Sequence, residues 1–85
     1  MKNVEWFNES KKWFVELMKK YDFESEDELN EIWFWSGEEE NIEFVLMNES
    51  EIYMRYEYSV RVEWKIERNI ILFDECEDFL KDYFE

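Results

Sequence analysis

The sequence predicts an α+β fold, an antiparallel sheet of three to five strands flanked by an N-terminal and a C-terminal helix, and three observations lead to it. Two stretches, one near each end, repeat apolar residues at helical spacing. Between them, from Ile52 to Glu67, every even position is apolar (Ile52, Met54, Tyr56, Tyr58, Val60, Val62, Trp64, Ile66) and the odd positions are mostly polar, the period of a half-buried strand. That stretch is also rich in β-branched and aromatic residues, which suit a pleated surface.

The elements follow in order. From a cap at Asn3 or Asn8, the residues Trp6, Ser10, Trp13, Phe14, Leu17, Met18 and Tyr21 fall on one stripe of a first helix, with Lys11, Lys12, Lys19 and Lys20 outside it. Lys19 and Lys20 suit the negative end of the helix dipole. Ser25 with Glu28 has the form of a capping box and predicts a short helical turn; Trp33-Phe34-Trp35 then favours a strand from Ile32 to Ser36. Gly37, the only glycine, opens the loop to Asn41, and a strand from Ile42 to Met47 completes a hairpin. Asn48-Glu49-Ser50 makes the next turn.

Residues 51 to 67 contain no Gly or Pro, so they form one bent strand or two strands joined near Glu57 to Ser59. A two-residue hairpin loop would flip the parity that faces the core. The parity here stays even throughout, which favours one long bent or bulged strand, with a three- or five-residue loop as the alternative. Arg68-Asn69 is a turn signal before a last short strand, Ile70 to Phe73. Asp74 with Glu77 repeats the capping pattern, and Cys76, Phe79, Leu80, Tyr83 and Phe84 follow at the spacing of a terminal helix. Trp33, Trp35, Val45, Met47 and Tyr53 have the parity opposite to the main stripe of their strands; core packing is the expected use, a homodimer through an apolar sheet face the other.

Eighty-five residues make a single small domain, and its core must come from the 8 Phe, 5 Trp and 5 Tyr, each burying roughly 150 to 250 Å². One cysteine and no histidine exclude an internal disulfide and a multi-cysteine zinc site and remove the usual general base. The five serines therefore lack a partner for nucleophilic catalysis. Cys76, on the apolar stripe of an acidic helix, reads as a buried inert thiol. A single glycine rules out a phosphate-cradling loop. Asp22, Glu24 and Glu26 have the alternate spacing of a calcium loop, but Asp27 and Trp33 stand where that loop needs glycine and glutamate. The expectation is a protein that is not an enzyme and has no cofactor or metal. The N-terminus lacks an uninterrupted apolar segment, so no signal peptide or membrane span is expected, and the host-cell cytosol is the default location. The two Asn-x-Ser matches, at Asn8 and Asn48, read as caps or turns rather than glycosylation sites.

The net charge of −14 is distributed unevenly. Residues 22 to 51 carry twelve acids and no Lys or Arg, residues 74 to 85 carry six acids and one lysine, and residues 52 to 73 are almost neutral at +1. Such a charge repels nucleic acid and attracts basic proteins. Carboxylates on alternate strand positions or on neighbouring helix turns are spaced about 5 to 7 Å apart, comparable to successive phosphates. The candidate partner-binding residues are Glu24, Glu26, Asp27, Glu28 and Glu31 in the first block, Glu38, Glu39, Glu40 and Glu43 at the hairpin, and Asp74, Glu75, Glu77, Asp78 and Asp82 in the last helix. Each acid singly is explained by solubility. Their segregation is not, because twelve acids without one base forgo local ion pairing. In size, charge and element order the chain resembles the small acidic proteins that phages and other viruses use against host defence, including anti-CRISPR proteins and other DNA mimics. That resemblance implies a nucleic-acid-binding enzyme or effector complex as target. The alternative is an interaction module, such as an immunity protein for a basic toxin nuclease or a dimerising adaptor.

Overall fold

The computed structural model describes the backbone from Val4 to Glu85 and the side chains from Glu9 onward. Helix α1 (Val4–Lys20) is followed by strands β1 (Ile32–Ser36), β2 (Glu40–Leu46), β3 (Glu51–Val60) and β4 (Glu63–Leu72) and by helix α2 (Phe73–Phe84). The strands form one antiparallel sheet in sequence order. The expected cap at Asn3 and the side chain of Trp6 lie outside the described residues. Asn8 lies inside α1 and not at its start.

Register decides which residues reach the core. Trp33 pairs with Phe44 and Trp35 with Ile42, and Phe44 and Leu46 pair with Met54 and Ile52. The odd positions of β1 thus share a face with the even positions of β2 and β3, and α1 and α2 pack on that face. Phe14, Leu17, Met18, Trp33, Ile42, Phe44, Leu46, Ile52, Cys76 and Leu80 are buried in one cluster. Its rim is aromatic: Trp13 stacks on Phe73 at 4.9 Å, and Phe79 meets Phe44 and Tyr56 edge-on at 6.1 Å. Of the residues with opposite parity, Trp33 and Trp35 therefore join the core side. Val45 and Tyr53, which are cross-strand partners, lie on the other face, and Met47 is exposed. Gly37 keeps an ordinary φ; a Cβ there would meet the Trp35 ring at 2.7 Å, so this glycine makes room for a tryptophan.

Several local expectations are corrected. Residues 51 to 67 are not one bent strand: Arg61 and Val62 form a two-residue turn with φ of 53° and 64°, and Val60 pairs directly with Glu63. Both residues take the left-handed conformation of a type I′ turn without the Asn or Gly that normally marks it, so the turn was invisible to residue type. Arg68 and Asn69 are not a turn either, since β4 runs through them to Leu72. The segment after Ser25 makes one tight turn, Asn30 N–H to Asp27 C=O at 3.2 Å, in place of a helical turn. At α2 the carboxylate of Glu75, not the Asp74 and Glu77 pair, accepts the N–H of Leu72 at 2.8 Å.

The two-residue turn has the consequence that parity arguments attach to it. Tyr58 and Tyr56 face Lys65 and Glu67 across the ladder, while Trp64, Ile66 and Ile70 share the outer face with Ser59, Glu57 and Tyr53. Residues 60 to 70 are all exposed, so the far end of this hairpin stands clear of both helices and the molecule extends 48 × 25 × 21 Å.

Candidate acidic interaction surface

The first acidic block is a loop held against the open side of β1. Helix α1 closes with the N–H of Phe23 on the carbonyl of Met18 at 3.0 Å, and Asp22 takes a φ of 65°, the left-handed position that commonly ends a helix. Glu24 and Phe34 then exchange two backbone hydrogen bonds of 2.9 Å, so the loop runs along the β1 edge. Asp27 fastens its far end. Its carboxylate accepts the Ser25 hydroxyl at 2.8 Å and the N–H groups of Glu31 and Ile32 at 3.2 and 3.1 Å. Burial works to raise the Asp27 pKa, but these hydrogen bonds outweigh it and hold the carboxyl below its usual value.

With that framework in place, Glu24, Glu26 and Glu28 are exposed, and Glu31 is half-buried with the Lys11 ammonium 3.6 Å away. Two shallow grooves flank Phe34. One, of about 290 Å³, is lined by Asp22, Glu24, Trp35 and Ser36; the other, of about 280 Å³, by Glu26, Asp27, Ile32 and Glu43. Strand β2 thus brings Glu43 to the loop acids, a juxtaposition that sequence distance concealed. Glu38 and Glu39 stand exposed at the β1–β2 turn.

Glu40 differs from its neighbours. It is half-buried and accepts the Tyr56 hydroxyl at 2.5 Å. That bond, reinforced by the nearby Tyr83 hydroxyl, holds its carboxyl below the usual range despite burial. The Tyr83 oxygen is itself buried without a hydrogen bond of good geometry, and burial and the Glu40 anion push its pKa far up. Tyr56 is raised to about 12 by burial and by Glu40.

In α2 the residues Asp74, Asp78 and Asp82 succeed each other at every fourth position and are all exposed, forming one row with about 6 Å between turns. Glu75 is occupied with the helix start, and Glu77 lies 4.0 Å from Lys81. Cys76 points the other way, fully buried, its thiol pushed up to about 12 by burial and then by Glu77.

The two acidic blocks meet. The Tyr21 hydroxyl donates to the Glu85 carboxylate, which is the main cause that raises Tyr21 to about 12, and Phe84 packs on Tyr21 and Trp35 at 5.6 and 5.1 Å. The last turn of α2 is thereby fixed beside Asp22, where the acidic loop begins. No family model, curated protein or solved structure matches this chain.

Among the described residues only three ion pairs form, Lys11–Glu31, Arg55–Glu57 and Lys81–Glu77. Glu24, Glu26, Glu28, Glu38, Glu39, Asp74, Asp78 and Asp82 have no cation within salt-bridge distance among those residues. The arrangement is suited to long-range attraction of a basic surface. Among the described residues no three acidic or cysteine side chains converge in a way that would hold a metal ion, and no described helix is long and apolar enough to cross a membrane. Glu85, which Tyr21 ties to the start of the acidic loop, was not singled out by sequence; it sits at the end of α2, where only a tertiary contact gives it a neighbour.

Proposed function

We propose that this protein is a non-enzymatic inhibitor that occupies a basic nucleic-acid-binding surface of a host defence effector, of the CRISPR-Cas type or another nuclease, in the host-cell cytosol. The observation that supports this reading is the junction at Tyr21 and Glu85. It fixes the last turn of α2 beside the start of the acidic loop, and Glu24, Glu26, Glu28, Asp74, Asp78 and Asp82 have no ion-pair partner among the described residues. Spaced carboxylates on a rigid frame imitate a phosphate backbone at little entropic cost, and attraction of opposite potentials accelerates encounter. Asp27 and Glu40 are assigned a different part within it, since internal hydrogen bonds occupy them; they orient the acids that make contact.

A second reading, a dimerising adaptor or an immunity protein, draws on the exposed apolar residues of β4. The two readings separate by experiment. Pull-down from host cells followed by mass spectrometry identifies the target, and displacement of DNA or RNA from it is then measured at low and high salt. Displacement that weakens with salt, and that is abolished by changing Glu24, Glu26, Asp78 and Asp82 to lysine, is the expected result. Full inhibition by that variant overturns the mimic reading and leaves the adaptor.

A further inference from the structure

The two edges of the sheet are treated differently. The β1 edge is covered by the acidic loop, through the paired backbone bonds of Glu24 and Phe34. Among the described residues no strand pairs with the β4 edge. It is ten residues long, has no proline or bulge, and exposes Trp64, Ile66, Ile70 and Leu72 at 54, 41, 56 and 50 %. Natural sheets rarely leave a long, straight, apolar edge without a partner, because its free N–H and C=O groups are a template for another strand.

We propose that β4 pairs with β4 of a second copy, antiparallel about a two-fold axis at Ile66, to make a continuous eight-stranded sheet. A two-residue loop makes Val60 and Glu63 the hydrogen-bonded closing pair. The odd residues of β4 then bond to β3, and the even residues, Trp64, Ile66, Arg68 and Ile70, direct their backbone groups to the open edge. A second β4 can meet them only with even residues opposite even ones. That condition puts the two-fold axis on a residue of the strand, and the charges choose which.

With the axis at Ile66, Lys65 lies opposite Glu67 of the other copy and Glu67 opposite its Lys65. Trp64 faces Arg68, a cation over an indole. Axes at Lys65, Glu67 or Arg68 set like charges against each other on the axis itself. An axis at Asn69 puts Glu67 and Arg68 opposite isoleucines, and one at Trp64 leaves only residues 63 to 65 within both strands. An axis at Ile70 leaves only residues 68 to 72 within both strands and sets Arg68 opposite Leu72, so the self-complementary register is the one at Ile66.

Net charge is compatible with a second copy at this edge. Each chain carries −14, but residues 52 to 73 sum to +1. The acidic loop lies beyond β1, which is itself three strand spacings or about 14 Å from β4. Pairing at the β4 edge therefore keeps the acidic loops of the two copies apart.

Sedimentation equilibrium of the purified protein tests this, with circular dichroism confirming that each variant folds. The expected mass is twice 10.9 kDa at micromolar concentration. Lys65→Glu and Glu67→Lys should each weaken the dimer roughly tenfold, because each converts two attractive cross-strand pairs into repulsive ones. The double variant Lys65→Glu/Glu67→Lys, which restores both pairs in the reversed sense, should return to within about threefold of the original. Ile66→Lys, placing like charges on the axis, should give a monomer. A monomer at about 100 μM, or a dimer indifferent to these four variants, overturns the proposal, as does a monomer whose β4 instead captures a strand of another protein.

Discussion

Asp27 shows how a single carboxylate organises a segment that has no regular structure. Its two oxygens take one hydroxyl and two backbone N–H groups, and they fix where the acidic loop ends and β1 begins. Asp27→Ala leaves the N–H groups of Glu31 and Ile32 without their acceptor and should cost about 1–2 kcal/mol in urea denaturation. Glu40 and Tyr56 form a second internal pair with a pH signature. The Tyr56 pKa is raised from 10.0 to about 12, so the stability that its protonated form contributes is complete below pH 10 and is lost as pH rises toward 12. Thermal melts between pH 9 and 12 should therefore fall more steeply for the native protein than for Tyr56→Phe. Equal slopes would mean that the phenol contributes nothing through its ionisation. The sequence displayed both acids as members of a charged block; their distinct duty was not legible, because it depends on Tyr56 and on backbone N–H groups that only folding brings near.

At the scale of elements, helices and the first hairpin were readable because periodicity and burial agree in them. Phe14, Leu17 and Met18 in α1 and Cys76 and Leu80 in α2 are buried where helical spacing placed them. The β3–β4 hairpin was not readable for an identifiable reason. Its apolar residues keep even parity through a turn that reverses facing, so the pattern of one long strand and that of a two-residue hairpin with an apolar outer edge are the same string of letters. Arg61 and Val62 conceal the turn further, being unfavourable at positive φ by about 1–2 kcal/mol each. Arg61→Asn/Val62→Gly supplies the preferred residues, and Val62 is 94 % exposed, so no packing is lost. The double variant should be more stable by about 1–2 kcal/mol in the same denaturation assay. No change or a loss would count against the left-handed turn.

For the whole molecule the governing quantity is the crowding of like charge. Added salt screens it, so melting temperature should rise with ionic strength, and should rise modestly as pH falls from 7 to about 5. The rise should then reverse. Asp27 and Glu40 have folded pKa values below their usual 3.8 and 4.5, so the stability they contribute is present above those values and disappears as pH drops through the lower folded ones. A melting temperature that falls both with salt and between pH 7 and 5 would remove the basis for a crowded acidic surface.

By itself the sequence determined the element types, their order and the segregation of charge, because periodicity, turn chemistry and composition are local properties. Tertiary structure alone decided three things: that the acids of residues 22 to 31 and of α2 meet at Tyr21 and Glu85, that Asp27 and Glu40 face inward, and that Trp64, Ile66 and Ile70 lie on an open edge. Each is a matter of register or of contact between distant segments. A one-residue change in pairing moves every side chain of a strand to the opposite face, and nothing in the spacing of residues within that strand records which pairing was chosen.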